Sequence, residues 1–172
     1  PLFDKVQLNL AGEMSLKTVY NIKASNITDC RGNRIGSYDH AKAGLPEDAT
    51  PRDMVINEIL FNPRSNAYDY VEFYNRSNKI FDASKMFIAN RNGSNAISSV
   101  TALSSAPRLI FPGDYIVSTA SLSGLQGNYL VKEPENVLEL SSLPSFPDDN
   151  GFVLLLNSQG DIIDEVDYDH SW

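Results

Sequence analysis

One stretch of the sequence, residues 55–77 (VINEILFNPRSNAYDYVEFYNRS), constrains the fold more than any other. Two runs within it, residues 55–61 and 70–74, are rich in the β-branched and aromatic side chains that favour strands. Asn-Pro separates the runs and Asn-Arg-Ser follows the second. Both segments are expected to end a strand, because proline lacks a backbone donor and asparagine tolerates turn conformations. Period-2 alternation predicts one face with Val55, Asn57, Ile59 and Phe61, and the other with Ile56, Glu58 and Leu60. The stretch therefore predicts two β-strands joined by a polar loop.

The charge balance limits the partners of the chain. Among 172 residues, 14 Lys and Arg stand against 22 Asp and Glu, a net charge of −8. Because an acidic surface repels phosphate backbones, the sequence predicts no nucleic-acid partner. Hydrophobic residues make up 42% of the chain, which is enough for a buried core. The single cysteine, Cys30, cannot form an intrachain disulfide, so we expect the fold to depend on that core.

Targeting and membrane signals are also informative. No apolar run approaches the roughly 20 residues of a membrane-spanning helix, so no membrane span is predicted. The sequence shows no signal peptide and opens within a strand-like pattern at Lys5. We therefore expect the chain to be a piece of a longer protein.

Residues 1–36 have the pattern of a short β-hairpin fragment. Residues 5–10 and 19–24 each alternate apolar and polar side chains, which predicts two antiparallel strands. A tight polar turn around Gly32 follows them.

A Tyr-x-Ile strand followed by Ile27-Thr28-Asp29-Cys30-Arg31-Gly32-Asn33 resembles the closing hairpin of bacterial Ig-like repeats of the surface-layer type. The resemblance implies that residues 1–36 are the C-terminal part of such a repeat. Residues 37–53 show no apolar period and contain Gly44, Pro46 and Pro51, so they are predicted to be a linker.

Residues 54–172 consist of short strand-like runs separated by turn signals. After the opening pair, the predicted strands span residues 85–89, 108–111, 115–119, 129–132, 137–140, 152–156 and 162–168. Turns are predicted at Asn92-Gly93, Pro112-Gly113-Asp114 and Asn157-Ser158-Gln159-Gly160. This spacing is typical of an all-β protein, an antiparallel sandwich or barrel. Residues 152–156 are apolar on both faces, which predicts a central strand.

Five segments of residues 54–172 carry the most specific pattern in the chain. They are Ile56-Asn57-Glu58-Ile59, Asp69-Tyr70-Val71-Glu72-Phe73-Tyr74-Asn75, Pro112-Gly113-Asp114-Tyr115, Asp149-Asn150-Gly151-Phe152-Val153-Leu154-Leu155 and Gly160-Asp161-Ile162-Ile163-Asp164-Glu165-Val166-Asp167-Tyr168. In this order they resemble the lamin-tail family, in its form on bacterial extracellular and surface proteins. The resemblance implies an Ig-like antiparallel β-sandwich over residues 54–172, secreted or at the cell surface. Lys85-Met86-Phe87 replaces the usual Gly-Trp of the family, and its final leucine-containing strand is not reached by Trp172. The missing strands imply open strand edges, which are expected to pair with a neighbouring domain or another copy of the chain.

Two groups of polar side chains are candidates for a site. Glu58 and Glu72 lie in the opening strand pair, where side chains on one face approach to about 5 Å, close enough to share a proton or a cation. The alternative is a solvent-facing pair that accepts hydrogen bonds. Asp148, Asp149 and Asn150 concentrate the hard oxygen ligands that calcium prefers. Because the EF-hand pattern is absent, a loop with capped turns is the competing interpretation.

Aromatic side chains supply a third candidate. Tyr68, Tyr70 and Tyr74, together with Phe61 and Phe81, suggest a sugar- or protein-binding patch, although more than half of them are expected in the core. His40 and His170 have no partner at useful spacing, and no Gly-x-Ser-x-Gly elbow occurs, so no enzymatic activity is predicted.

Taken together, these features favour a non-catalytic interaction or spacer module of a larger secreted or cell-surface protein. It is expected to contact protein partners, or neighbouring domains of its own chain, through loops and edge strands. The competing hypothesis is a carbohydrate- or calcium-binding accessory domain of an extracellular hydrolase. A third, lamin-like chromatin or filament binding, is disfavoured by the acidic charge.

Overall fold

Short β-strands dominate residues 7–37 and 39–171, the part of the chain that the computed structural model describes. The strands are β1 Tyr20–Lys23, β2 His40–Ala43, β3 Met54–Leu60, β4 Tyr70–Asn75, β5 Phe81–Asp82, β6 Phe87–Arg91, β7 Ile97–Ala102, β8 Leu109–Ile110, β9 Tyr115–Thr119, β10 Val137–Glu139, β11 Asn150–Leu156 and β12 Ile162–Asp169. One α-helix, α1 (Leu122–Asn128), and 3₁₀ turns at Ala83–Lys85 and Pro134–Asn136 complete the described elements. No helix in this part of the chain is long and apolar enough to cross a membrane. The chain divides into two units, Pro1–Leu45 and Pro46–Trp172.

The first unit holds an antiparallel pair, β1 with β2, in which Tyr20 lies opposite Ala43. Residues 5–10 are predicted to form a strand that pairs with β1. This prediction is wrong for residues 7–10, which form no strand, while residues 5 and 6 lie outside the described residues. The actual partner, β2, lies within the predicted linker. Its sequence, HAKA, is largely exposed and has no apolar period, so ladder hydrogen bonds rather than burial define it.

The second unit is a β-sandwich, which confirms the predicted all-β fold. Its first sheet has the order β10-β9-β4-β3 and its second sheet the order β12-β11-β6-β7, with a small β5-β8 pair beside them. Inward-facing side chains of both sheets form one core cluster. Its members include Val71, Phe73, Ile116 and Leu138 from the first sheet and Ile88, Val153, Leu155, Ile163 and Tyr168 from the second.

Strand β11 is central, as its sequence predicts, because it lies between β12 and β6. Leu154 and Leu156 face away from the main core and form a second buried cluster with Ala89. The Arg91 guanidinium lies 5.9 Å from the Phe152 ring centroid on this sheet. Arg91 Nε also donates to Glu165 Oε1 at 2.5 Å, and this bond lowers the pKa of Glu165. The ion pair of Arg91 and Glu165, with the apolar methylene groups of Arg91, thus covers part of the outer face of the second sheet.

Three local features differ from the sequence prediction. Strand β10 runs parallel to β9, so one pair departs from the antiparallel pattern. Residues 129–132 form no strand but follow α1, and the serine-rich segment after Asn92-Gly93 forms β7. β7 pairs with β6 across the predicted turn, where the Asn92 amide donates to the Ala96 carbonyl at 2.9 Å.

The C-terminal half of the predicted linker belongs to the sandwich. Ala49 is buried in the main core. Asp53 binds Lys79 Nζ at 2.7 Å and accepts a hydrogen bond from the Thr50 amide at 2.8 Å. Burial alone would raise the pKa of Asp53, but the bonds from Lys79 and Thr50 outweigh burial and lower it. Residues 46–53 are therefore fixed by polar contacts that an apolar period does not reveal.

Candidate functional site

A β-bulge at Asn57 sets the geometry of the candidate site. Ile56 pairs with Phe73, and the next pair is Glu58 with Glu72, so Asn57 is the extra residue. The bulge turns Ile56 toward the core beside Phe73 and leaves Glu58 on the outer face of the first sheet. Simple alternation predicts Ile56 and Glu58 on one face, and this prediction is wrong because the bulge breaks the period.

Glu58 and Glu72 are thus direct cross-strand partners, a juxtaposition that the sequence suggests but cannot place. The Tyr70 hydroxyl donates a hydrogen bond to Glu58 Oε1. Asn57 Nδ2 donates to Glu72 Oε1 at 2.8 Å. Burial and the bond to Glu58 raise the pKa of Tyr70, so its hydroxyl stays a donor through the physiological range. Each carboxylate is therefore held by a neutral donor.

Tyrosine rings surround this carboxylate pair. Tyr70 meets Tyr129 edge to face, with ring centroids 6.2 Å apart. Tyr115 is 46% exposed and stacks on Tyr74 at 4.5 Å. Tyr70, Tyr115 and Tyr129 line an open depression of about 320 Å³ on the first sheet, which we call the tyrosine groove. Its lining includes Glu58, Tyr70, Glu72, Tyr115, Tyr129 and Lys132.

Helix α1 and the segment after it form one wall of the tyrosine groove. The Ser121 side chain caps α1 by accepting from the Gly124 amide at 3.2 Å. Leu125 is buried and lines the groove, and Leu130 lines it while remaining 85% exposed. Sequence reasoning missed this wall because two glycines in α1 hide any helical period. A Ser-x-x-Gly start followed by Leu125 is the only local signal for it.

The predicted aromatic residues have separate places. Tyr70 lines the tyrosine groove, and the Tyr74 ring stacks on the Tyr115 ring. Tyr68 is 43% exposed but covers Gly124 of α1, so it positions the wall. Phe61 stacks on Tyr168 at 4.3 Å, and Phe81 is buried in the core. Of the predicted aromatic patch only Tyr70 therefore lines the tyrosine groove, and its other two tyrosines, Tyr115 and Tyr129, are not members of that predicted patch.

Comparison of the sequence with models of protein families and with curated proteins gives no match.

The predicted calcium ligands lie at the start of β11. Asp148 and Asp149 are exposed, and Asn150 begins β11 opposite Asp169. Within residues 7–37 and 39–171, no group of three or more His, Cys, Asp or Glu side chains is placed to hold a metal ion. Asp148 instead acts on half-buried Asp69: burial and then the Asp148 charge raise the pKa of Asp69 to about 6. These residues form a repulsive acidic pair at one end of the sandwich.

The remaining reactive side chains lie at the surface. His40 Nδ1 is 3.0 Å from Asp39 Oδ1 on an exposed strand. The His170 backbone amide donates to the Asp149 carbonyl at 2.7 Å. Cys30 is exposed, within a turn that Asp29 fixes by accepting from the Arg31 amide at 2.8 Å.

Proposed function

We propose that this chain is a non-catalytic interaction module of a larger secreted or cell-surface protein, and that it binds its partner in the tyrosine groove. The observation that carries the proposal is one groove lined by three tyrosines and by the cross-strand pair Glu58 and Glu72. Tyrosine supplies rigid, amphipathic contact area at a low cost in conformational entropy. The resemblance to the lamin-tail family of bacterial surface proteins supports the same role.

The tyrosine groove offers two kinds of contact within a small area. Tyr115 and Leu130 present apolar surface to solvent. Glu58 and Glu72 present acceptors, and their orientation is fixed by Tyr70 and Asn57. Because the two carboxylates are already oriented, a ligand loses little affinity to their ordering when it binds.

A second candidate function is carbohydrate binding as an accessory domain of an extracellular hydrolase. It is favoured by the position of the Tyr115 and Tyr129 rings beside the carboxylates, since rings pack on the apolar side of a sugar and carboxylates accept from its hydroxyls. A glycan panel separates the two functions, because a protein-binding module gives no response to it.

Selection from a peptide display library, run beside the glycan panel, tests the proposed function. We expect the selected ligands to lose binding to Tyr115→Ser, which removes exposed aromatic surface from the tyrosine groove. The matched control is Val100→Ser, because Val100 is 53% exposed on β7 of the second sheet. Ligands that bind Tyr115→Ser as tightly as the unchanged protein would place the binding surface elsewhere and contradict the proposal.

A further inference from the structure

We infer that the tyrosine groove binds an arginine side chain of a protein partner. This inference deepens the proposed function and rests on it. Its starting point is the pairing of Glu58 with Glu72 across β3 and β4. Like charges directly opposite each other destabilise a strand pair, so this arrangement has a cost that a bound cation removes.

Neither carboxylate is saturated by its hydrogen-bond donor in the tyrosine groove. Their donors, the Tyr70 hydroxyl and the Asn57 amide, are both neutral. An ionised carboxylate has about four acceptor positions, so each keeps free lone pairs. In the described part of the chain the ion pairs involve other carboxylates, those of Asp39, Asp53 and Glu165. A cation that enters the groove therefore meets two unneutralised charges.

The shape of these acceptors suits a guanidinium group. A planar fork of N–H donors bonds carboxylates in pairs, whereas an ammonium group acts as a point charge. Tyr115 and Tyr129 lie beside the carboxylates, where an aromatic ring attracts a cation within about 6 Å of its centre. Arginine combines both contacts, since its plane also stacks on aromatic rings.

The rest of the groove fits the stem and the charge of such a ligand. Val117, Leu125 and Val137 supply apolar lining for the methylene groups of an arginine stem. Glu133 adds a third carboxylate, against which Lys132 is the single basic lining residue, so the groove keeps a net negative charge. The chain as a whole carries −8, which attracts a basic partner over longer distances.

Nuclear magnetic resonance titration of the ¹⁵N-labelled full chain tests the inference. The probes are two five-residue peptides, acetyl-Gly-Ser-Arg-Ser-Gly-amide and the same peptide with citrulline, the neutral isostere of arginine. We expect the arginine peptide to cause saturable shifts in the amides of residues 70–73, 115–117 and 129–132. The citrulline peptide should cause none, and added salt should weaken the arginine peptide because the contacts are exposed.

Glu58→Gln with Glu72→Gln is the decisive variant. Glutamine keeps the oxygens that accept from Tyr70 and Asn57, so the groove is preserved while both charges are lost. We expect arginine-peptide binding to weaken at least about tenfold, since charge-assisted bonds are about twice as strong as neutral ones. Asp167→Asn removes a charge from exposed β12 on the second sheet and should leave binding unchanged.

The outcomes separate this inference from the proposed function. Equal binding of the citrulline peptide, or unweakened binding by the double glutamine variant, overturns the arginine site while the groove remains a binding surface. A neutral glycan that shifts the same amides, with no response to the arginine peptide, also overturns it and supports the carbohydrate alternative. If neither peptides nor glycans shift the groove amides, both the inference and the proposed function fail.

Discussion

At the scale of single residues, Gly124 decides whether the wall of the tyrosine groove can form. A Cβ atom built on Gly124 would lie 2.2 Å from Tyr68 Cε2 and 2.3 Å from Tyr68 Cδ2. Gly127 lies in the same helix and has nothing within 4 Å of its own Cβ position. A substitution at Gly127 therefore tests helix propensity alone, whereas the same substitution at Gly124 also tests the close contact with Tyr68.

We expect Gly124→Ala and Gly127→Ala to have opposite effects on stability. Gly127→Ala should raise the free energy of unfolding by about 0.5–1 kcal/mol, because alanine is the better helix former. Gly124→Ala should lower it by about 1 kcal/mol, because the Tyr68 ring is displaced from α1. Urea denaturation of both variants measures the difference. In a Tyr68→Ala background Gly124→Ala should become stabilising, and destabilisation there would show that the ring contact is not the cause.

A second prediction at this scale concerns the pH dependence of Asp69. Burial and the charge of Asp148 raise the pKa of Asp69 from 3.8 to about 6 in the folded protein. A raised carboxyl pKa means that the contribution of Asp69 to stability is fully present below the unfolded value and is lost as the pH rises through 6. Asp69→Asn should therefore gain on the order of 1 kcal/mol over the unchanged protein between pH 4 and pH 7, after allowance for solvent screening.

Urea denaturation of both proteins over this pH range checks the prediction. The difference between the two curves should grow between pH 4 and pH 7 and then level off. Asp148→Asn removes the second cause of the shift, so its curve should lie between the other two. Parallel curves for Asp69→Asn and the unchanged protein would contradict the raised pKa.

At the scale of elements, the β-bulge in β3 is the feature that makes the site. Ile56 and Ile59 pair with inward-facing Phe73 and Val71, while Glu58 pairs with Glu72 between them. Asn57 is therefore the one residue of this segment whose removal leaves every other pair in register.

We expect the deletion of Asn57 to be tolerated and the deletion of Ile59 to unfold the sandwich. Without Asn57 the ladder becomes regular, and only the bond from Asn57 to Glu72 is lost. Without Ile59 the Glu58 side chain moves opposite Val71 into the core, and an unpaired buried charge costs several kcal/mol. Thermal unfolding followed by circular dichroism compares the two. A cooperative, native-like transition after deletion of Ile59 would show that register does not fix the face of Glu58.

The same strand shows how far sequence patterns reach. Alternation predicts β3 and β4, because a strand that is buried on one face has apolar side chains at every second position. It predicts the loop at Gly160, where φ is +84°, because that conformation favours glycine. No comparable sequence pattern indicates the bulge at Asn57, since one polar residue fits either face of a strand. The site depends on the bulge, so its carboxylates can be named from the sequence but not placed.

Elements stabilised mainly by tertiary contacts escape prediction for the same reason. Strand β10 has three residues, and its parallel pairing with β9 depends on where α1 and the Pro134–Asn136 turn leave the chain. Helix α1 depends on the Ser121 cap, the burial of Leu125 and the ring of Tyr68. Local propensity is weak at these positions, so contacts distant in sequence determine the structure.

At the scale of the whole molecule, the buried apolar residues are distributed unevenly between the two units. In the described residues, every buried hydrophobic side chain lies at or after Ala49. The first unit instead exposes Leu8, Leu10, Leu16, Ile22 and Ile27. A two-stranded sheet such as β1-β2 is at most marginally stable without a hydrophobic face to pack against.

We therefore expect residues 46–172 alone to fold and to unfold in one cooperative transition, since this segment contains the entire main core. Residues 1–45 alone should show no such transition, because the described part of that segment has no buried apolar residue. Calorimetry of each segment measures this, and the arginine-peptide titration of residues 46–172 should reproduce the shifts of the full chain. Starting the truncated protein at residue 54 supplies the comparison: it removes Ala49 from the core and the Asp53 partner of Lys79, so it should be less stable. Equal stability of the two truncated proteins would mean that residues 46–53 are a linker after all.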